Sequence, residues 1–192
     1  MRPLLVTPPD GKVLSVEAVS ENLRIGHNDD DDLIAGLIVA VTSYLDGPSG
    51  ILRNCLIDQV WAIRGERWAD MRIGLGNAES IERVSYWPAD GSAEVVMDAS
   101  AYRIGIDMNG SRLILRDGVR PALADRADAA TVHFKAGYGP KGTDVPAAVR
   151  QAMHLLVGHY YKHSEAVITG TRPTELPMGV QSLLSPYRLQ GV

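Results

Sequence analysis

Ala130-Thr131-Val132-His133-Phe134-Lys135-Ala136-Gly137-Tyr138-Gly139-Pro140-Lys141-Gly142-Thr143-Asp144-Val145-Pro146 is the stretch on which the reading of the fold turns. Through Ala136 apolar and polar residues alternate, which is the period of a strand with one buried face. Beyond the glycines the period lengthens: Val149, Met153, Leu156 and Tyr160 lie three or four apart, as on one face of a helix. Pro146 suits a first helical turn and Asp144 is placed to cap it. The predicted helix runs to about residue 163. The chain therefore passes from a β segment into a C-terminal helix through one turn bent by glycine.

Upstream of that turn the period is two from Leu56 onward. Residues 56–63 read as a strand, with a short one at Met71-Arg72-Ile73. Residues 81–87 and 94–97 read as a hairpin turned by Pro88-Ala89-Asp90-Gly91, and residues 102–106 and 112–115 as another around Asn109-Gly110. Further upstream, residues 1–14 read as an extended arm. Ser15 is a predicted N-cap for a helix over residues 16–25, with Val16, Val19 and Leu23 on its apolar face. Asp29-Asp30-Asp31-Asp32 then opens a second helix, since carboxylates suit the free N–H groups and positive dipole end found there. Its expected buried stripe is Leu33, Leu37, Ala40/Val41 and Tyr44, and Asp46-Gly47-Pro48-Ser49-Gly50 stops it.

Downstream, residues 166–178 are rich in Thr, Pro and Gly and read as a loop, followed by a short helix over 179–184. The expected class is α+β: a small helical bundle formed by N- and C-terminal helices, with an inserted antiparallel β segment. The corresponding division is an arm and helices over 1–55, a β-rich insertion over 56–138, and helices and tail over 139–192 that pack back on the first part.

The 192 residues are 45% apolar and 22% charged, enough for a full core and ordinary for a globular domain. A net charge of −4 argues against a tight grip on nucleic acid, which needs clustered Lys and Arg to neutralise phosphates. Cys55 is the sole cysteine, so no intrachain disulfide forms, which fits synthesis in a reducing cytoplasm. The opening Met1-Arg2-Pro3-Leu4-Leu5-Val6 is too short for a signal-peptide core, and the apolar run from Leu33 is broken by Gly36, Thr42 and Ser43. A soluble protein with no membrane contact is expected.

Each chemical motif misses a part. His159 and His163 stand one helical turn apart with Glu165 beyond, the start of a zinc site for a metal-dependent hydrolase. Tyr160 occupies the place where the metalloprotease pattern needs Glu, and His154 lies roughly 140° around the helix. The aspartates at 29–32 lack the alternate spacing and glycine turn of a calcium loop. Gly137 to Thr143 does not follow the order of a phosphate loop, and Gly47-Pro48-Ser49-Gly50 does not form a nucleophile elbow. Cys55 reads as a small core residue at a strand start. Trp61, Trp68 and Trp87 read as core or interface rather than a stacking platform. No catalytic, cofactor-binding or metal residue is assigned, and no enzyme is expected.

Four ordered stretches carry a resemblance. They are Ser15-Val16-Glu17 through Asp29-Asp30-Asp31-Asp32-Leu33-Ile34; Ile81-Glu82-Arg83-Val84-Ser85-Tyr86-Trp87 with Asp90-Gly91 and Tyr102-Arg103-Ile104; Val132 to Gly139 with Val145-Pro146-Ala147-Ala148 on to His159-Tyr160-Tyr161; and Leu176-Pro177-Met178-Gly179-Val180-Gln181-Ser182-Leu183-Leu184-Ser185-Pro186-Tyr187-Arg188. Together they resemble the head–tail adaptor (head-completion or connector) family of long-tailed double-stranded DNA phages and gene-transfer agents. The resemblance implies a dodecameric ring in the virion, between the portal protein and the stopper or tail-completion protein, with DNA passing through without sequence-specific binding. It implies a portal contact in the C-terminal region, carried onto Leu176, Pro177, Met178, Leu183, Leu184, Tyr187 and Arg188, and no catalytic residues or cofactors.

Overall fold

A computed structural model describes residues 3–163 and 178–189. Helix α1 spans Val16–Leu23, and Ser15 caps it as expected, its hydroxyl accepting the Ala18 N–H at 3.2 Å. Arg24, in the left-handed conformation (φ 60°), turns the chain out, and Ile25 N–H closes on the Ser20 carbonyl.

Helix α2 spans Asp31–Leu45 and buries Ile34, Ile38, Val41 and Leu45. The predicted stripe was rotated by one residue: Leu33 and Tyr44 are 43% and 40% exposed. Between Leu33 and Leu45 the helix is apolar at most positions, so two stripes with identical spacing coexist in the sequence. Packing against the C-terminal helix chooses between them.

Helix α3 spans Ala147–Lys162, with Pro146 as its N-cap. Asp144 does not cap α3. It closes the preceding 3₁₀ turn, Gly142–Asp144, where its carboxylate accepts the Lys141 N–H at 2.9 Å. Val145 stands between the two in extended conformation, as the residue before a proline prefers. Helix α4 spans Met178–Leu184 and runs into a 3₁₀ turn, Ser185–Tyr187. The helices share one core: Val19 of α1, the α2 stripe, Val149, Met153, Leu156 and Val157 of α3, and Val180 and Leu184 of α4. Each such side chain contributes about 1.5–3 kcal/mol on burial. At Gly158 a Cβ would stand 2.9 Å from Leu23 Cδ2, so a side chain there would make the Leu23 side chain shift where α1 meets α3.

Among the described residues the strands are β1 Leu4–Thr7, β2 Gln59–Gly65, β3 Ala78–Tyr86, β4 Val95–Val96, β5 Tyr102–Asp107, β6 Gly110–Leu115 and β7 Ala130–Ala136. Five form an antiparallel sheet in the order β1-β2-β7-β3-β4, and β5-β6 form a separate two-stranded sheet. Central β7 has the predicted bounds and alternation: Ala130, Val132, Phe134 and Ala136 are buried, while Thr131, His133 and Lys135 are half-buried. The buried face packs with Ile63, Val84, Met97, Tyr102 and Leu113 into a second core. The architecture is thus mixed α+β.

Three expectations for the β region change. The arm contributes β1, whose residues are all exposed; a four-residue strand between Pro3 and Pro8 offers no alternation to read. Strand β2 starts at Gln59, because Leu56 and Ile57 turn into the helical core instead, so Cys55 precedes the strand rather than starting it. Met71-Arg72-Ile73 forms no strand, only an isolated bridge between Arg72 and Arg112, although Met71 and Ile73 are buried.

Candidate interaction surfaces

The C-terminal element is anchored before it offers anything to a partner. Leu184 is 3% exposed and belongs to the helical core, with Leu183 and Tyr187 packed at its margin. The main-chain carbonyl of Tyr187 accepts from Asn54 Nδ2 at 2.7 Å, and Leu189 N–H reaches the Leu52 carbonyl. Exposed along this element are Met178, at 85%, Gly179, Gln181, Ser182, Ser185, Pro186 and Arg188. Of the residues expected to contact a portal, then, Met178 and Arg188 face outward, Leu183 and Tyr187 are half-buried, and Leu184 holds the element down. Leu176 and Pro177 lie outside the described residues, as does most of the loop expected over 166–178.

A cleft of about 1050 Å³ opens where α2 ends, lined by Pro48, Arg53, Arg64, Glu66, Arg67 and Arg72 among others. A smaller one beside it shares Pro48 and Arg53 and adds Arg188. Arg53 is held in the left-handed region (φ 52°), and its Nη2 donates to the Gly74 carbonyl at 3.1 Å. On the adjoining sheet face, burial and then the guanidinium groups of Arg83 and Arg64 hold His133 below the usual imidazole range. No run of residues marks this concentration, since its arginines come from separate loops and strands between positions 53 and 188.

The other sequence-marked residues have local roles. His159 and His163 are neighbours, with ring centroids 4.8 Å apart. Among the described residues no group of three His, Cys, Asp or Glu is placed to hold a metal ion, and Glu165 lies outside them. Burial, then Arg150, lowers the His154 pKa. The aspartates at 29–32 surround the start of α2; Asp30 makes no capping bond and instead accepts from the Tyr161 hydroxyl, tying α2 to α3. Cys55 is fully buried, and burial pushes its thiol far up. The tryptophans are engaged within the chain: Trp61 Nε1 donates to Gln59, Trp68 Nε1 to the Pro121 carbonyl, and Arg126 stacks 4.3 Å from the Trp87 ring. Lys135 bridges Asp58 at 2.9 Å and Glu79 at 2.8 Å on the open face of the sheet. No described helix is long and apolar enough to cross a membrane.

No family model and no curated protein matches the chain. Solved structures do match, over 100% of this chain and 97% of each counterpart. They are chains from the neck of an empty gene transfer agent particle computed with C6 symmetry (TM-score 0.76, 19% identity), the virion of a native gene transfer agent particle (0.75, 22%), and the neck of the native particle computed with C12 symmetry (0.69, 20%). At these identities the likeness is one of fold, and it runs from end to end.

Proposed function

We propose that the chain is a head–tail adaptor: a structural, non-enzymatic subunit of a tailed-phage or gene-transfer-agent particle. In this reading copies form a dodecameric ring in the virion, between the portal protein and the stopper or tail-completion protein, and the ring continues the DNA channel. The observation that carries the proposal is the fold shared along the full chain with neck and virion chains of gene transfer agent particles. The four ordered stretches of sequence support it independently.

The physical properties fit the role. A chain of net charge −4 lines a DNA path without gripping phosphates. The helical elements act together as a small bundle from which the sheet extends, giving each subunit distinct surfaces, as head-to-tail contacts in a closed ring require. The segment after α3 faces the portal, with Met178 and Arg188 presented and Leu184 as the anchor. The subunit is made in the host cytoplasm and functions at the capsid–tail junction.

Incubating the purified chain with the portal ring of its own particle, followed by electron microscopy, tests the proposal. The expected image is an added ring of density below the portal. A chain that leaves the portal bare, at concentrations well above those of a working assembly, overturns it.

A further inference from the structure

We infer that the arginine-lined cleft is the socket of a head-to-tail contact between copies of this chain, occupied by the carboxylates at residues 29–32 of a neighbouring copy. The inference rests on the ring reading above and deepens it by naming the contact.

The cleft gathers Arg53, Arg64, Arg67 and Arg72, and its neighbour adds Arg188, while among the described residues Glu66 is the sole acidic one lining either. In a chain with a net charge of −4 this is a strong local segregation of charge. Among the described residues no salt bridge reaches Arg64, Arg72 or Arg188, although Asp128, paired with Arg126, lies near enough for Arg64 to help lower its pKa. Guanidinium groups brought together repel one another until an anion enters, and their planar forks match carboxylates in a bidentate fashion.

The complementary surface lies on the same helix. The side chain of Asp29 is 92% exposed and Asp32 is exposed, at the start of α2; Pro48, just past the end of α2, lines the cleft. The helix has 15 residues, which at about 1.5 Å each separates the two by roughly 22 Å. Opposite charges at opposite ends of a rigid element do not meet within one molecule. Between two molecules they meet in one direction only, as a heterologous contact that closes into a ring when the rotation allows. Leu33, 43% exposed and next to Asp32 on α2, adds apolar area to the docking end. Duplex DNA offers the same sign of charge, but the remaining surface of an acidic chain repels it. The carboxylate occupant is therefore favoured.

The test is self-association of the full chain by sedimentation velocity at low and high salt. One variant set reverses the socket (Arg64→Glu, Arg72→Glu, Arg188→Glu), another the aspartates (Asp29→Lys, Asp31→Lys, Asp32→Lys), and a third carries both reversals. Each single set is expected to weaken association by about tenfold or more, and the combined set to restore it, as close charge pairs behave. Asn and Gln sets, checked for helix content by circular dichroism, give the same weakening without reversed charge. Wild-type assembly unchanged in both single sets overturns this contact and leaves the ring reading standing. A wild-type chain that stays monomeric under all conditions, yet adds a ring to the portal, overturns the contact alone; one that fails both measurements sinks the adaptor reading too. Salt-sensitive binding of a short DNA duplex, abolished by the socket reversal and indifferent to the aspartates, assigns the cleft to nucleic acid instead.

Discussion

Asn54 Nδ2 donates to the main-chain carbonyl of Tyr187 at 2.7 Å, joining the loop before the sheet to the last described turn of the chain. The same amide lies 3.4 Å from the Tyr138 hydroxyl, on the turn between β7 and α3. One 7%-exposed side chain therefore reaches both segments that lead into and out of the C-terminal helices. There is no room to replace it with something larger, since even a Cβ at Gly76 would stand 2.4 Å from Asn54 Oδ1.

Asn54→Ala is expected to lower unfolding free energy by about 1–3 kcal/mol, because it strands a buried carbonyl acceptor. Tyr187→Phe keeps that carbonyl and should cost well under half as much. Urea titrations of the two variants decide. Equal losses would show that the phenol, not the main-chain bond, holds the terminus.

Gly137 sits where β7 ends, and a Cβ there would stand 2.6 Å from the backbone N and Cα of Asp58. Backbone cannot yield as a flexible side chain does. Gly137→Ala should therefore destabilise by about 1–3 kcal/mol, the usual cost of overpacking. Gly91→Ala, where space is open but φ is +78°, separates steric crowding from backbone strain. Thermal unfolding in which Gly137→Ala matches wild type would refute the close approach.

These positions also mark how far the sequence could be read. The strand and the helix on either side of Gly137 were legible, because alternation stops, glycines intervene and a 3.6 period begins within a few residues. Ser15 was legible for the same reason: a cap is a local event. The face of α2 was not, since an apolar helix carries two equivalent stripes and only tertiary packing against α3 selects Ile34 and Ile38. Strand β1 was hidden by its exposure on both faces, and Asp144 by the 3₁₀ turn that takes its carboxylate before α3 begins. As for the candidate surfaces, Met178 and Arg188 were named from the sequence, but the arginine cleft is assembled from residues distant in the chain and has no sequence signature.

Cys55 is fully buried, and desolvation, with Asp46 adding to it, raises its thiol pKa. Only a thiolate reacts quickly with a disulfide reagent. The native chain should therefore resist 5,5′-dithiobis(2-nitrobenzoate) at neutral pH and release a full equivalent of product in denaturant. Prompt reaction of the folded chain would contradict the placement of Cys55 in the sheet core.

Asp46 supplies a pH signature. Its carboxylate, at the end of α2, accepts the Leu56 N–H at 2.6 Å and Gln59 Nε2 at 3.0 Å, yet burial outweighs these bonds and raises its pKa above the ordinary carboxylate value. A raised folded-state pKa means that the native state takes up a proton before the unfolded state does, so this group's contribution to stability grows as pH falls through the folded value. The gain levels off below the unfolded value, about 3.9. His133 and His154, whose pKa values are lowered by burial, act in the opposite sense below about pH 6.5, so the useful quantity is a difference between variants. Asp46→Asn retains an acceptor for Leu56 and carries no charge to desolvate. The stability of Asp46→Asn relative to wild type should therefore be most favourable at neutral pH and decline as the pH falls toward about 4. Asp46→Ala instead strands the Leu56 N–H and should cost about 1–3 kcal/mol at neutral pH. Urea unfolding at a series of pH values checks both, and an Asn-minus-Asp difference that stays flat with pH would mean that Asp46 titrates as it does in the unfolded chain.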